Sequence, residues 1–333
     1  MSTTDAAPPL STPLVVGVDL GGTKMAAALV TADGALAGPL ASVPTPARSG
    51  PEAVLDAIAS VVDTVVSAGT HQAPGAQVAV SAVGVGSAGV VNVSTGTIVS
   101  ATDAITGWTG TSVATGVRSR LIAQGYGDMP VHVENDVDAY AGGEAWLGAG
   151  RDAGSVLVVA VGTGVGGSVV INGTTVRGAH YVAGEIGHVP APGAENEMCT
   201  CGRRGHLEAI AAGPQIHRRY LAAGGDPEVA NAFEVEQRAD AGDPIASLVY
   251  RDSAIALGKV LAGVVAVLDP ERVVLSGGLA RAGELWWAPL RETFRAELID
   301  PLADVPLVRA ELGTNAPIIG AARGALSLLG ATA

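Results

Sequence analysis

Both cysteines of the chain, Cys199 and Cys201, lie in the segment CTCGRRGHLEAIAAG, and His206 follows within the same segment. Upstream, GEIGH places Glu185 and His188 in a glycine-bounded turn. Thiolates and imidazoles are ligands that Zn²⁺ prefers, so the two cysteines could form a tetrahedral site with both histidines. This spacing favours zinc binding over the alternative of two buried free cysteines.

A second group of polar residues lies in VHVENDVDAY, where Asn135 and Asp136 follow a predicted strand and precede a helix predicted to begin near Val137. A carboxylate in this position can accept a proton from a substrate hydroxyl, and a neighbouring asparagine can orient that hydroxyl, as phosphoryl transfer requires. The alternative is a helix cap. Since Asp136 could not be both a free base and a buried cap, Asn135 is the candidate for the cap.

Three glycine turns end apolar stretches, and their backbone amides could bind phosphate. In the first, VDLGGTK, Asp19 could also hold a hydrated Mg²⁺, although a plain hairpin is equally compatible with this short motif. The second, GTGVGG, matches a dinucleotide-binding pattern, but an apolar strand follows it where that motif needs a helix. The third is LSGGL. The candidate nucleotide-binding residues are Asp19, Gly21, Gly22, Thr23, Lys24, Gly162, Thr163, Gly164, Gly277 and Gly278.

The first two glycine turns each lie within the same predicted order of elements: a strand, the glycine turn, a second strand and an Asx-Gly turn. LVVGVDL and MAAALVT, with a turn at Asp33 and Gly34, predict an antiparallel meander, and a helix is predicted from Pro51. The pattern returns in SVLVVAV and SVVI with a turn at Asn172 and Gly173. The repetition suggests two related lobes whose glycine turns face a shared cleft, with the last helix, APIIGAARGALSLLG, returning to the first lobe.

The composition argues against several classes of partner. The formal net charge is −13, and such an acidic chain disfavours binding to a phosphate backbone, so we expect no nucleic acid partner. No apolar run reaches the roughly 20 residues of a membrane span, and the first residues lack the pattern of a signal peptide. Two cysteines are too few for a secreted disulfide scaffold, so we expect a cytoplasmic protein without membrane partners.

Four segments in this order resemble the ROK family of bacterial sugar kinases and sugar-responsive repressors, within the actin/hexokinase-like superfamily. They are VDLGGTK, VENDVDAYAGGE, VGTGVGGSVVINGTTVRGAHYVAGEIGH and CTCGRRGHLEAIAAG. The resemblance implies an α/β fold of two ribonuclease-H-like lobes with an active-site cleft between them. We expect a disordered tail over 1–13, a small lobe over 14–120 completed by 316–333, and a large lobe over 121–315 that carries the zinc loop and a dimerisation surface.

The resemblance also implies a function, namely ATP- and Mg²⁺-dependent phosphorylation of the 6-hydroxyl of a hexose, with glucose the best single guess. Asp136 would be the base. The residues expected to bind the sugar are Asn135, Glu185, His188, Glu208, Asp103 and Gly89. A structural zinc on His188, Cys199, Cys201 and His206 would hold the loop that presents His188 and Glu208, with one ring nitrogen of His188 on zinc and the other toward the sugar. A homodimer, or a tetramer, is implied as well.

Three departures from the family pattern leave alternatives open. His206 stands where the family usually has a third cysteine, so the alternatives are a Cys₂His₂ zinc site and a lost site. GSAGVVN lacks the usual proline, and Asp103 and Thr106 stand where an asparagine is common, so an N-acetylated hexosamine, GlcNAc or ManNAc, is an alternative substrate. Polyphosphate is an alternative donor. A non-catalytic regulator is disfavoured, because only 13 residues, none basic, precede the first strand, where such repressors carry a DNA-binding domain of roughly 70–80 residues.

Overall fold

The computed structural model describes residues 13–72 and 79–330, which form two compact units. The first unit contains the described residues up to Tyr140 and those from Pro317 onward, and the second unit spans Ala141–Ala316. The predicted disordered tail lies outside the described residues except for Pro13. Among the described residues, no helix has the length and apolar content needed to cross a membrane.

The first unit is built on a mixed sheet with helices packed against it. Its strands are β1 (Leu14–Leu20), β2 (Lys24–Val30), β3 (Ala41–Pro44), β4 (Val80–Ser87), β5 (Val90–Asn92), β6 (Thr97–Ser100) and β7 (Val131–Asn135). Its helices are α1 (Pro51–Gln72), α2 (Val113–Ala123) and the start of α3 (Asp136–Leu147). The five-stranded sheet has the order β3-β2-β1-β4-β7, while β5 and β6 form a separate hairpin. The predicted antiparallel meander is confirmed as β1-β2-β3.

The second unit repeats this arrangement. Its strands are β8 (Ser155–Val161), β9 (Val165–Ile171), β10 (Thr174–Thr175), β11 (Arg272–Ser276) and β12 (Leu307–Arg309). Its helices are α4 (Glu208–Ala211), α5 (Gly213–Ala222), α6 (Ala232–Asp240), α7 (Pro244–Leu268) and α8 (Glu284–Glu297), and α9 (Ala316–Leu328) follows. The sheet order β10-β9-β8-β11-β12 has two antiparallel pairs followed by two parallel pairs, as in the first sheet. The α/β class and the repetition predicted from the glycine turns are therefore confirmed.

The last helix packs directly on the sheet of the first unit. A Cβ atom at Gly17 in β1 would lie 2.0 Å from the carbonyl oxygen of Ile318, and one at Gly84 in β4 would lie 1.8 Å from that of Ala321. Only glycine allows backbones to approach so closely. The two glycines in otherwise apolar strands therefore explain how α9 returns to the first sheet.

The division between the units differs from the one expected from the sequence. The expected boundary falls between residues 120 and 121, whereas the compact units divide between Tyr140 and Ala141. The physical reason is β7, which pairs in parallel with β4 and so belongs to the first sheet. The sequence pattern VHV identifies this strand, but nothing local to it indicates which sheet it joins.

Each unit has its own hydrophobic core. In the first unit, the core fills the space between the sheet and α1, with Val18, Leu20 and Ile58 fully buried. In the second, Leu157 and Leu275 of the sheet pack with Trp286 and other side chains of the helices. The parallel strands of each sheet end at the same edge, so the turns that follow them lie side by side. The hydrophobic core beneath each sheet fixes the positions of these turns, where polar side chains can bind ligands.

Candidate active site

The carboxyl ends of β1, β4 and β7 bring the acidic residues of the first unit to one edge of its sheet. Asp19 in β1 is paired in register with Gly86 in β4, and Gly86 is paired with Glu134 in β7. Asp136 follows β7 as the first residue of α3. A Cβ at Gly86 would lie 2.9 Å from the Cβ of Ala139, so this glycine lets the first turn of α3 pack against the strand.

The two carboxylates at this edge both hold a proton more tightly than usual. Burial raises the pKa of Asp136 to about 6, and the nearby Asp19 carboxylate adds to the increase by repulsion. Burial also raises the pKa of Asp19 to about 6, although the Lys24 ammonium opposes the shift. A buried carboxylate with a pKa near 6 is ionised at neutral pH and is basic enough to accept a proton.

Asn135 is the principal cap of α3, as predicted. Its Oδ1 accepts hydrogen bonds from the Val137 N–H at 2.8 Å and from the Asp138 N–H at 3.2 Å. The Val137 N–H also donates to Oδ1 of Asp136 at 2.9 Å. One oxygen of the expected base therefore takes part in the cap, so the expectation that base and cap exclude one another is wrong, because a carboxylate has a second oxygen. One amide hydrogen of Asn135 donates to the carbonyl of Gly89 at 3.0 Å. Gly89 thus contacts Asn135 through its backbone.

The first glycine turn is fixed by a residue that the sequence analysis did not identify. The Thr45 hydroxyl donates to the carbonyl of Gly21 at 2.7 Å, and the Thr45 N–H donates to the carbonyl of Thr23 at 3.0 Å. Thr45 is buried just after β3, whereas Thr23 and Lys24 are exposed. A turn held by a buried threonine keeps its exposed amides in one arrangement, which suits anion binding.

The loop that contains Asp103 approaches the same turn. A Cβ at Gly22 would lie 3.4 Å from the Cβ of Ala104, so the loop contacts the turn through Ala104. Asp103 itself is exposed. The first unit therefore brings together Asp19, Gly21, Gly22, Thr23, Lys24, Gly89, Asn135 and Asp136 at one end of its sheet, and Asp103 lies in the loop beside the glycine turn.

The second and third glycine turns adjoin one another in the second unit. The Gly162 N–H donates to the Gly164 carbonyl at 2.9 Å, within a tight hairpin between β8 and β9. Gly277 has a φ of 87°, and a Cβ there would lie 2.3 Å from the carbonyl oxygen of Val161. The hairpin confirms that GTGVGG opens a strand, which is why it does not form a dinucleotide-binding motif.

A cavity of about 710 Å³ opens beside these two turns. Gly162, Thr163 and Gly278 line one part of it, and residues of α5, α6 and α7 line the rest. Phe233 is 65% exposed at this cavity, although it is one of only two phenylalanines in the chain. Burial and the neighbouring Glu236 carboxylate raise the pKa of Tyr250, another lining residue, well above its usual range. Gly162, Thr163 and Gly278 are predicted from the sequence, whereas Gly213 and the aromatic and acidic residues of this cavity are not.

The four candidate metal ligands converge in the second unit. One ligand atom from each of His188, Cys199, Cys201 and His206 lies within 4.8 Å of the others. Nδ1 of His188 is 3.7 Å from Sγ of Cys199, and Nδ1 of His206 is 3.3 Å from Sγ of Cys201. Tetrahedral zinc with bonds of about 2.0–2.3 Å puts its ligand atoms about 3.3–3.8 Å apart. The two His–Cys distances fall in this range, whereas the full set spreads up to 4.8 Å, so the donor types and the two pairs suit zinc and the remaining ligand atoms would have to move closer to bind it.

His188 presents its two ring nitrogens to different groups. Nδ1 lies toward Cys199, whereas Nε2 is 3.8 Å from Oε2 of Glu185. His188 ends a short 3₁₀ turn, Ile186–His188, and Glu185 precedes that turn. This arrangement leaves the Nε2 side of the ring beside a second predicted sugar-binding residue.

Glu208 is buried, and both of its carboxylate oxygens accept hydrogen bonds. Oε2 accepts from the Val165 N–H at 3.1 Å, at the end of the second glycine turn. Oε1 accepts from the Thr200 hydroxyl, and the thiol of Cys199 donates to it at 3.8 Å. A Cβ at Gly164 would lie 2.8 Å from Oε2, so the absence of a side chain there lets the carboxylate approach the turn. Glu208 is predicted from the sequence, but neither of its donors, Val165 and Thr200, is.

Most of the chain is similar to known proteins of one family. A profile of the ROK family matches residues 15–327. The glucokinase of Streptomyces coelicolor is 34% identical over 330 residues, which cover 93% of this chain and 96% of that protein. An N-acetylmannosamine kinase of Escherichia fergusonii is 32% identical over 308 residues, covering 92% of this chain and 96% of that protein.

Solved structures agree with these sequence relatives. A ROK hexokinase from Thermus thermophilus has a TM-score of 0.83 and 34% identity, covering 96% of this chain and 100% of that one. A ROK family glucokinase from Streptomyces griseus, in complex with glucose and AMPPNP, has a TM-score of 0.74 and 31% identity. That similarity covers 94% of this chain and 99% of the S. griseus chain.

Proposed function

Because the chain belongs to the ROK family, we propose that it is an ATP-dependent kinase that phosphorylates the 6-hydroxyl of a hexose, with glucose as the substrate. The observation that carries this proposal is Asp136, a half-buried carboxylate with a pKa of about 6 at the same sheet edge as Asp19 and its glycine turn. Phosphoryl transfer needs a positioned base, phosphate-binding amides and a metal-binding carboxylate, and this edge offers residues suited to all three tasks.

In the proposed mechanism, Asp136 accepts the proton of the sugar 6-hydroxyl. The hydroxyl oxygen forms a bond to the γ-phosphorus of ATP, the bond from that phosphorus to the β–γ bridging oxygen breaks, and ADP leaves. Asn135 uses its amide oxygen for the helix cap and one amide hydrogen for Gly89, so its second amide hydrogen can donate to a sugar hydroxyl. A fixed asparagine of this kind would orient the substrate rather than take part in proton transfer.

The nucleotide would use the glycine turns and the adjoining cavity. The Gly21 and Gly162 N–H groups are bonded within their own turns, to the carbonyls of Lys24 and Gly164. The amides at Gly22–Thr23 and Thr163–Gly164 would therefore be the ones that bind phosphate oxygens, and Asp19 suits a hydrated Mg²⁺ that neutralises the phosphates. The cavity lined by Gly278 and Phe233 has room for a base, and the exposed ring of Phe233 offers a stacking surface. A cavity of this kind favours a nucleotide over polyphosphate, which has no base to place there.

The remaining sugar hydroxyls would be bound by Glu185, His188 and Glu208. The buried Glu208 and the adjacent pair of Glu185 and His188 offer acceptors for hydroxyl protons at fixed positions. We propose that zinc on His188, Cys199, Cys201 and His206 is structural, because four protein ligands would leave no open coordination position. Bound there, the metal would fix the tautomer and orientation of His188.

The test of the proposed function is a coupled assay of ADP release over a panel of hexoses and N-acetylated hexosamines. We expect glucose to have the highest kcat/KM, and we expect the product to be oxidised by a dehydrogenase specific for glucose 6-phosphate. Highest kcat/KM with N-acetylmannosamine would support the second candidate, which the similarity to the E. fergusonii kinase favours. Absence of ADP release with every sugar would refute the kinase and favour the regulatory alternative.

We further propose that the kinase is a cytoplasmic homodimer that binds no nucleic acid. Reduced cysteines at a zinc site and the use of ATP both suit the cytoplasm. Sedimentation analysis would test the dimer, and a mass of one chain or of four chains would contradict it.

A further inference from the structure

The residue between the two cysteines makes a contact that metal binding does not require. Thr200 is exposed as a residue, yet its hydroxyl donates to Oε1 of the buried Glu208. The Val165 N–H donates to the other oxygen, Oε2, at 3.1 Å. Glu208 is only 8% exposed, and a carboxylate buried to this extent needs hydrogen-bond donors on both oxygens to hold it in one orientation.

We propose that Thr200 is a positioning residue for sugar binding, which acts by aiming the Glu208 carboxylate. An ionised carboxylate can accept about four hydrogen bonds, so the Val165 and Thr200 donors leave acceptor sites for sugar hydroxyls. The thiol of Cys199, at 3.8 Å, is the other side-chain donor to Oε1. A thiol is a weak donor and lies farther from Oε1 than the Thr200 hydroxyl does, so Thr200 is the principal side-chain donor to this oxygen.

The two oxygens of Glu208 contact different parts of the second unit, so losing the Thr200 hydroxyl should affect only one of them. Glu208 connects the cysteine segment, through Thr200, to the second glycine turn, through Val165 and Gly164. Removing the Thr200 hydroxyl frees only Oε1, whereas Oε2 remains bound to the turn. We therefore expect the loss to appear in sugar binding and to leave nucleotide binding nearly unchanged.

The inference rests on the proposed role of Glu208 in sugar binding, so the experiment tests the two separately. Thr200→Val keeps the shape of the side chain and removes the hydroxyl, Thr200→Ser keeps the hydroxyl, and Glu208→Gln reports on the carboxylate itself. For each purified variant the readouts are KM and kcat for glucose, KM for ATP, and zinc content by elemental analysis. Hydrogen bonds to charged groups typically contribute enough to change affinity about tenfold or more.

We expect Thr200→Val to raise the KM for glucose about tenfold, with kcat and the KM for ATP within about twofold of the parent. Thr200→Ser should restore the parent KM, and zinc content should be the same in both variants. A glucose KM within twofold of the parent in Thr200→Val, with a raised KM in Glu208→Gln, would overturn the inference and leave the role of Glu208 standing. An unchanged KM in Glu208→Gln would overturn both. Loss of zinc from Thr200→Val would show that the threonine acts on the metal loop, which also overturns the inference.

Discussion

Replacing the proposed base with its amide should stabilise the protein while abolishing its activity. Burial raises the pKa of Asp136 from 3.8 to about 6, so keeping this carboxylate ionised in the folded state has an energetic cost. Two pKa units correspond to about 3 kcal/mol at 1.36 kcal/mol per unit. Asp136→Asn removes the charge but keeps an oxygen that can accept the Val137 N–H, so the cap of α3 survives.

The sign of the pH dependence follows from the direction of the shift. The folded state binds the Asp136 proton more tightly than the unfolded state, so stability falls as the pH rises from about 4 to about 6. Above about pH 6 Asp136 is ionised in both states, so the full free-energy cost of ionising it in the folded state lowers the stability. The gain in Asp136→Asn should therefore be about 3 kcal/mol at pH 8 and about half of that at pH 5.

Urea unfolding of the ligand-free protein at pH 8 and pH 5 measures this gain, and the ADP-release assay measures turnover of the same preparations. The matched control is Asp304→Asn, which removes the same charge from an exposed position and should change stability by less than about 0.5 kcal/mol. A variant that is no more stable than the parent at pH 8, or that gains equally at both pH values, would refute the burial argument. Appreciable turnover by Asp136→Asn would refute its role as base.

Three further outcomes follow from other parts of the site. Because the base must be ionised, kcat/KM for glucose should fall about tenfold per pH unit below about pH 6, and a profile level down to pH 5 would contradict the raised pKa of Asp136. Phe233→Ala should raise the KM for ATP about fivefold with kcat unchanged, because base stacking contributes on the order of 1 kcal/mol. The control is Leu248→Ala, which is also exposed but lies outside the cavity and should leave the KM for ATP unchanged. Equal effects of the two substitutions would reject stacking on Phe233. Elemental analysis should find about one zinc per chain in the parent and less in His206→Ala. His206→Cys should retain the zinc, because a thiolate is also a zinc ligand. Absence of zinc from the parent would reject the metal site.

The sequence predicts the parts of this protein that depend on local pattern. The antiparallel meander, the two glycine hairpins and the cap of α3 by Asn135 follow from strand periodicity, turn residues and helix-start signals. Convergence of His188 with the cysteine segment was predicted from ligand chemistry, because few other arrangements use C-x-C beside histidines.

Contacts between distant segments were beyond prediction. Thr45 fixes the turn at Gly21 from a position 24 residues along the chain, and no spacing rule connects the two. The sequence around Phe233 predicts only that it belongs to a helix. Its position at the cavity depends on the packing of α6 beside the third glycine turn, which no local pattern indicates. The division at Tyr140 depends on which sheet β7 joins, a choice made by packing against β4 rather than by the strand itself.

The return of α9 to the first sheet has a consequence for synthesis on the ribosome. Gly17 and Gly84 pack against backbone atoms of Ile318 and Ala321, so the sheet of the first unit needs the last helix to be complete. At about 5–20 residues per second, translation of the intervening Ala141–Ala316 takes on the order of ten to thirty seconds. During that interval the second unit can fold while the N-terminal strands still expose an apolar face. We therefore expect the N-terminal strands to be prone to aggregation until the last helix has been synthesised.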